Sequence, residues 1–159
     1  MTSFRIREAK SADREAIGLL WLELMTYHRA LDSRFTIAPG GEQKYMRHAI
    51  DMMRSRNAMV LVAEDIATGE VIGFLMGEIQ TRPAIAMSGL YGFISDICVH
   101  EGWRHQGIGR ALFEEITRWF KARKAQAIEL YIAEENPESA EFWYAMGMKP
   151  FLKLLHLDL

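Results

Sequence analysis

The chain has 159 residues and a mass of 18.3 kDa, the size of one domain with a single hydrophobic core. Half of the residues are hydrophobic and a quarter are charged, which excludes a disordered chain and a collagen-like fibre. The formal charge of −2 lacks the basic surplus of a nucleic-acid-binding protein, and the single cysteine excludes a disulfide framework and a cysteine-rich metal site.

The sequence also predicts where the protein resides. The amino-terminal segment MTSFRIREAK is charged from residue 5 and lacks the apolar core of a signal peptide. No apolar run is long enough to span a bilayer. No linker, repeat or low-complexity tract divides the chain. We therefore expect a cytoplasmic protein that binds no membrane and forms one domain over residues 1–159.

The first third of the sequence predicts one strand and two helices. Residues 4–7 alternate apolar and basic side chains, as a half-buried strand does. Ser11 is placed to cap a helix, which apolar residues at helical spacing continue to about Leu31. A loop over residues 32–41 follows. A second amphipathic helix is predicted over residues 45–53.

The middle of the chain predicts three strands. Apolar runs at residues 58–63 and 71–76 flank a turn that contains Gly69, so they are expected to form a hairpin. Residues 89–99 are rich in aromatic and β-branched side chains and predict the next strand.

The last third predicts helices and strands in alternation. Helical spacing marks residues 108–124, and a strand is predicted over residues 127–132. A short helix begins after Asn136 and ends at Gly147, and the apolar segment 151–159 is the expected last strand. The order of elements predicts a mixed sheet covered by helices, an α/β or α+β domain.

The most informative segment joins strand 89–99 to the helix that starts near Ile108. A glycine-containing turn that opens a helix forms an anion site, because the first amides of the helix are unpaired and the helix dipole adds positive charge. Arg104 and Arg110 can add charged contacts. On the two glycines alone, the favoured interpretation is that Gly107 and Gly109 only shape a tight strand-to-helix turn. The spacing matches neither a Rossmann fingerprint nor a Walker loop.

Two motifs give the sequence a resemblance to a known family. The segment ISDICVHEGWRHQGIGRALFEEI resembles the acyl-CoA motif of the GCN5-related N-acetyltransferase (GNAT) superfamily, with Val99 at the strand end and Arg104, Gly107 and Gly109 at the signature positions. A second motif of that family matches at Asn136, Ser139, Phe142, Trp143, Gly147 and Met148. The resemblance implies a central mixed, mostly antiparallel sheet of six to seven strands flanked by about four helices.

The resemblance also implies a cofactor, acetyl-CoA, and the residues that hold it. Its pyrophosphate would be bound by the backbone of the loop residues His105, Gln106, Gly107, Ile108, Gly109 and Arg110, together with Arg104. Backbone groups of Cys98, Val99 and His100 would bond the pantetheine arm and polarise the acetyl carbonyl, an oxyanion-type role. Asn136, Ser139 and Trp143 would line the same arm.

The proton-transfer groups are harder to assign. The family usually has a tyrosine acid where this chain has Trp143, and Tyr144 comes one residue later, about 100° around the helix. For the base, Asp96 is the ionisable residue of its strand before Val99, and Ser95 beside it could hold a water. Alternation puts Asp96 on the opposite face from Phe93 and Ser95 unless a bulge intervenes.

The expected activity is direct transfer of an acetyl group from acetyl-CoA to a primary amine of a small molecule in a ternary complex. A protein or peptide N-acetyltransferase and a non-catalytic acyl-CoA sensor are the alternatives. Cys98 is expected to be a core residue, Glu78 is a second candidate base, and no metal site is predicted. Residues 151–159 could pair two subunits into a homodimer.

Overall fold

The computed structural model describes residues 3–83 and 89–159. Its strands form one sheet in chain order: β1 (Phe4–Glu8), β2 (Ala58–Asp65), β3 (Val71–Arg82), β4 (Gly89–Val99) and β5 (Ile128–Leu130). Neighbouring strands are antiparallel, except that β4 and β5 run parallel. The predicted mixed, mostly antiparallel α/β fold is confirmed. The described residues form five strands, where six to seven were expected.

The sheet carries the four helices that were expected: α1 (Arg14–Leu31), α2 (Gly41–Arg54), α3 (Ile108–Ala122) and α4 (Pro137–Ala145). The prediction that Ser11 caps the first helix was wrong. Ser11 opens a short 3-10 turn, and the Asp13 carboxylate accepts the Lys10 amide at 2.6 Å and pairs with Arg7. Within the described ranges, no helix combines the length and apolarity needed to cross a membrane.

The two faces of the sheet are covered by different helices. On one face α1 and α2 pack over a core that includes Phe74, Met76 and Cys98. On the other face α3 packs over Leu75, and Trp143 of α4 joins the same core. Because alternate strand residues point to opposite faces, each of these two cores draws on β2, β3 and β4.

The expected last strand is absent. Residues 151–159 follow α4 as an extended segment that pairs with no described strand. Its apolar side chains are exposed, from Phe151 at 60% to Leu155 at 82%. Their apolar pattern resembles that of a buried strand, but β5 is the edge of the sheet and is only three residues long. The edge strand therefore offers little backbone for a further strand to pair with.

Candidate active site

A gap opens in the sheet between β4 and β5. The two strands pair only at Gly92–Ile94 and Ile128–Leu130. Beyond these residues β5 ends, whereas β4 continues to Val99. The edge of β4 over residues 95–99 therefore has no strand partner on that side. The gap lies beside the turn that opens α3.

The hydrogen-bond pattern of β4 decides which backbone groups face this gap. The His100 amide donates to the Ile72 carbonyl of β3 at 2.9 Å. In an antiparallel pair such bonds involve every second residue. Cys98, opposite Phe74, therefore also bonds to β3. Val99, opposite Gly73, turns its N–H and C=O away from β3. Of the three residues expected to offer backbone groups to the pantetheine, Val99 therefore turns its groups toward the gap, whereas Cys98 and His100 bond to β3; their contact with the pantetheine stays a prediction.

The turn before α3 has the geometry of an anion site. Gly107 is the N-cap in the left-handed region with φ of 83°, and His105 also has a positive φ of 61°. The first amides of the helix, from Ile108 to Arg110, have no acceptor within the helix. A Cβ built on Gly107 meets no atom within 4 Å, so the outer surface of the turn is open. The donors, the dipole and the open surface fit a phosphate group.

Gly109 and Arg104 hold this turn in place. A Cβ on Gly109 would approach the Phe142 ring of α4 to 3.1 Å, so glycine allows α3 and α4 to pack closely. The Arg104 guanidinium donates to the Val99 carbonyl at 3.1 Å and to Glu23 of α1 at 3.3 Å. Arg104 thus ties the turn to β4 and α1, and its contact with a phosphate stays a prediction. The Gln106 amide donates to the Gly102 carbonyl.

The second motif forms the start of α4. The Asn136 side chain is buried, caps the helix by accepting the Ser139 amide at 3.1 Å, and directs its nitrogen to His28 of α1 at 3.4 Å. Trp143 is only 4% exposed and packs edge-on against Phe113. The position that usually holds a tyrosine acid is therefore part of the core. Tyr144, one residue later, is 51% exposed.

A bulge determines where Asp96 points. Ile94 pairs with Gly77 and Asp96 pairs with Met76, so Ser95 is the extra residue. In a regular strand, Ile94 and Asp96 would share a face, because they are two residues apart. In the bulged strand, Ile94 packs in the α3 core and Asp96 pairs with Met76, a residue of the α1–α2 core. The bulge thus puts Asp96 on the same face as Phe93, as the sequence allowed. Ser95 donates its hydroxyl to the Met76 carbonyl at 3.3 Å.

Asp96 is surrounded by Ser95, which the sequence analysis named, and by three polar residues of α1 and α2 that it did not assign to the site. Burial raises the pKa of its carboxyl above the usual range, and Tyr45, Ser95, His48 and His28 oppose that rise. The buried Tyr45 hydroxyl, whose pKa burial also raises, interacts with the carboxylate but makes no hydrogen bond of regular geometry. A carboxylate whose pKa is raised by burial is a stronger base than an exposed one. The only available signal was the spacing of Tyr45 and His48 on one helix.

Two other candidates have a clear place. Cys98 lies in the α1–α2 core, and burial raises the pKa of its thiol to about 12, so the thiol stays protonated. Glu78 pairs with Phe93 across β3 and β4, on the Asp96 face, and accepts from Gln80 at 3.0 Å. Within residues 3–83 and 89–159 no group of three metal-ligating side chains comes together.

The site fits acetyl-CoA. It combines amide donors at a helix start for phosphates, a gap in the sheet for a narrow arm, and one strand edge with a backbone donor turned into that gap. These features come from β4, α3 and α4, the elements that carry the two sequence motifs.

Comparison with known proteins adds independent findings. The structure resembles a tetramutant of the BH1408 protein from Bacillus halodurans, with 25% identity, a TM-score of 0.87, and 98% of this chain and 99% of that chain covered. It resembles the aminoglycoside N-acetyltransferase AAC(6')-Iy in complex with CoA, with 16% identity, a TM-score of 0.78, and 100% and 96% covered. It also resembles the aminoglycoside 6'-N-acetyltransferase AAC(6')-Ih from Acinetobacter baumannii, with 16% identity, a TM-score of 0.76, and 99% of this chain and 98% of that chain covered.

A search of curated proteins gave no match. A scan against family models matched residues 21–148 to the acetyltransferase (GNAT) family. The matched range includes both motifs and all of the residues around Asp96. The chain therefore belongs to the acetyltransferase (GNAT) family.

Proposed function

We propose that the protein transfers the acetyl group of acetyl-CoA directly to a primary amine of a small molecule while both are bound. The observation that carries the proposal is the gap between β4 and β5, which has the open Gly107 turn at one end and lies along the strand that holds Asp96. The structural neighbours named as aminoglycoside N-acetyltransferases support a small amine as the acceptor.

When bound, acetyl-CoA supplies an acetyl group activated as a thioester. The turn residues 105–110 would bind its phosphates through their backbone amides, and the Val99 amide would face the pantetheine arm. The acceptor amine must lose a proton before it can attack. Asp96 would take that proton, directly or through a water held by Ser95, because burial raises its pKa and so makes the carboxylate a stronger base than an exposed aspartate.

The last proton goes to the departing thiolate, and we propose that solvent supplies it. Trp143 has no acidic group and is buried in the core, and the Tyr144 side chain is half exposed on a helix face about 100° away. A thiolate is a stable enough leaving group for this step to proceed without a dedicated acid. Tyr144 stays the candidate acid that mutation tests.

Ligand binding tests the cofactor half of the proposal first. A ligand at a hundred times its dissociation constant stabilises a fold by about 2.7 kcal/mol, which raises the melting temperature of a chain of this size by roughly 5–10 °C. We expect this shift with acetyl-CoA and with CoA, and little shift with ATP. The absence of a shift with either CoA species would refute the proposed site.

Turnover then distinguishes the acceptor classes. Release of free CoA thiol is followed with a panel of polyamines, aminoglycosides and amino acids, and with short peptides as the second arm. Turnover on small amines supports the proposal, whereas turnover on peptides alone replaces it with a peptide N-acetyltransferase. Binding of CoA without turnover on any amine supports the acyl-CoA sensor, which the burial of Trp143 in the acid position favours.

We further propose that two copies of the chain associate through residues 151–159. The exposed side chains of Phe151, Leu152, Leu154, Leu155 and Leu157 support this, because contiguous exposed apolar surface marks an interaction site. Light scattering after size exclusion should give a dimer mass. Removal of residues 151–159 should give a monomer, and an unchanged mass would exclude this segment as the interface.

A further inference from the structure

Helix α1 contacts both of the motifs that line the gap. Three of its residues make these contacts, and together we call them the α1 brace: Glu23, Tyr27 and His28. Glu23 and Tyr27 are four residues apart and so lie on one side of the helix. The brace is formed by residues that neither sequence motif contains.

The first half of the brace holds the turn before α3. One carboxylate oxygen of Glu23 accepts from the Glu101 amide at 2.9 Å and from the Arg104 guanidinium at 3.3 Å. The Arg104 guanidinium also lies 5.6 Å from the centre of the Tyr27 ring. These contacts fix the position of the turn relative to α1.

The second half of the brace holds the start of α4. The Tyr27 hydroxyl donates to Glu138 at 3.3 Å, and His28 contacts the Asn136 nitrogen at 3.4 Å. α1 packs on one face of the sheet and Trp143 of α4 joins the core on the other face, so these contacts connect elements that cover different faces. The brace therefore joins α1 to both motifs.

The hydrogen bonds of His28 define the orientation of Asn136. His28 Nδ1 lies 3.0 Å from the Leu24 carbonyl, which can only accept, so Nδ1 is the donor of that bond; Nε2 faces the Asn136 nitrogen, which can only donate, so Nε2 is the acceptor of this second bond. Asn136 donates one N–H to Nε2, and its oxygen accepts the Ser139 amide. An amide nitrogen has two N–H groups, so one remains for a ligand carbonyl. Among the described residues the second N–H of Asn136 has no partner, so it is the group that Asn136 can offer to a ligand.

We propose that His28 is a positioning residue for acetyl-CoA: it holds the Asn136 amide so that its second N–H can bind a carbonyl of the pantetheine arm. This rests on the proposed function, since the ligand is the same. The contacts of Asn136 with His28 and with the Ser139 amide restrict its side chain through groups of the protein itself. Such preorganisation lowers the dissociation constant, because less freedom is lost on binding.

Calorimetric titration with free CoA tests the proposal without requiring turnover. His28→Asn keeps an amide near the Nδ1 position and loses the Nε2 acceptor, whereas His28→Gln keeps an acceptor near Nε2. We expect His28→Asn to weaken CoA binding about fivefold, the value of one neutral hydrogen bond, and His28→Gln to stay within twofold of the wild type. Thr26→Asn, at an exposed position on the same helix, is the matched control and should also stay within twofold.

Coupling to Asn136 separates positioning from a general effect on the fold. In an Asn136→Ala background, His28→Asn should cause no further loss of CoA affinity. A fivefold loss that persists in that background, or wild-type affinity in His28→Asn, would overturn the proposal. Hydrogen exchange at the Ser139 amide gives a second measurement, and His28→Asn should make it faster. A wild-type protein that binds no CoA would instead remove the proposed function itself.

Discussion

Substitution of Gly107 by alanine separates the two roles of this residue, in the fold and in the anion site. Gly107 has φ of 83°, which costs an alanine about 1–2 kcal/mol, partly offset by about 0.4–1 kcal/mol because alanine has less freedom in the unfolded chain. The net loss is about 1 kcal/mol, a decrease in melting temperature of about 2–4 °C. The added methyl group meets no protein atom within 4 Å, so it projects from the open surface of the turn.

The effect on CoA binding should be much larger than the effect on stability. A hydrogen bond between an amide and a charged phosphate contributes about 1.5–3 kcal/mol, so keeping the phosphate from the turn should weaken CoA binding about ten- to a hundredfold. Gly69→Ala is the matched control, because Gly69 has φ of 75°, equally open surroundings, and a position in the β2–β3 hairpin. It should lose the same stability and keep wild-type affinity. Equal CoA affinities for the two variants by calorimetry would refute the assignment of this turn to phosphate.

Three further substitutions test the interior of the site. Asp96→Asn should remove the acidic limb of the pH–rate profile and slow turnover about a hundredfold or more. Because the pKa of Asp96 is raised in the fold, its ionised form costs stability at neutral pH. The variant should therefore have a higher melting temperature than the wild type at pH 7, and the difference should shrink toward about pH 4. Trp143→Ala should lower the free energy of unfolding by about 3–5 kcal/mol in denaturant titrations, and a loss below 1 kcal/mol would contradict its burial. Tyr144→Phe should keep kcat within twofold, and a tenfold loss would identify Tyr144 as the acid.

The cofactor side of the site could be predicted from the sequence because its determinants are local. Gly107 and Gly109 lie between a strand and a helix that each have their own pattern, and the anion site follows from that succession. Asn136, followed by proline, marks the start of α4 in the same way. In both places, residues that adjoin in sequence also adjoin in space.

One wrong prediction, the last strand, and one alternative that the sequence left open, the bulge, have a common physical origin. Residues 151–159 have the composition of a strand, but a strand requires a partner edge, and the pattern of one segment does not show whether an edge exists. The bulge at Ser95 likewise depends on the register of β4 against β3, and neither Gly nor Pro marks it within residues 93–98. Strand pairing is a property of two segments, so neither the missing last strand nor the bulge could be predicted from the pattern of one segment.

The surroundings of Asp96 show how far this principle extends. Tyr45, His48 and His28 come from α1 and α2, 48 to 68 residues earlier in the sequence, and they reach Asp96 only because the bulge turns it toward those helices. Had β4 stayed regular, Asp96 would share the face of Ile94 and lie against α3, away from Tyr45 and His48. One inserted residue therefore turns Asp96, which we propose as the base, toward α1 and α2 and away from α3.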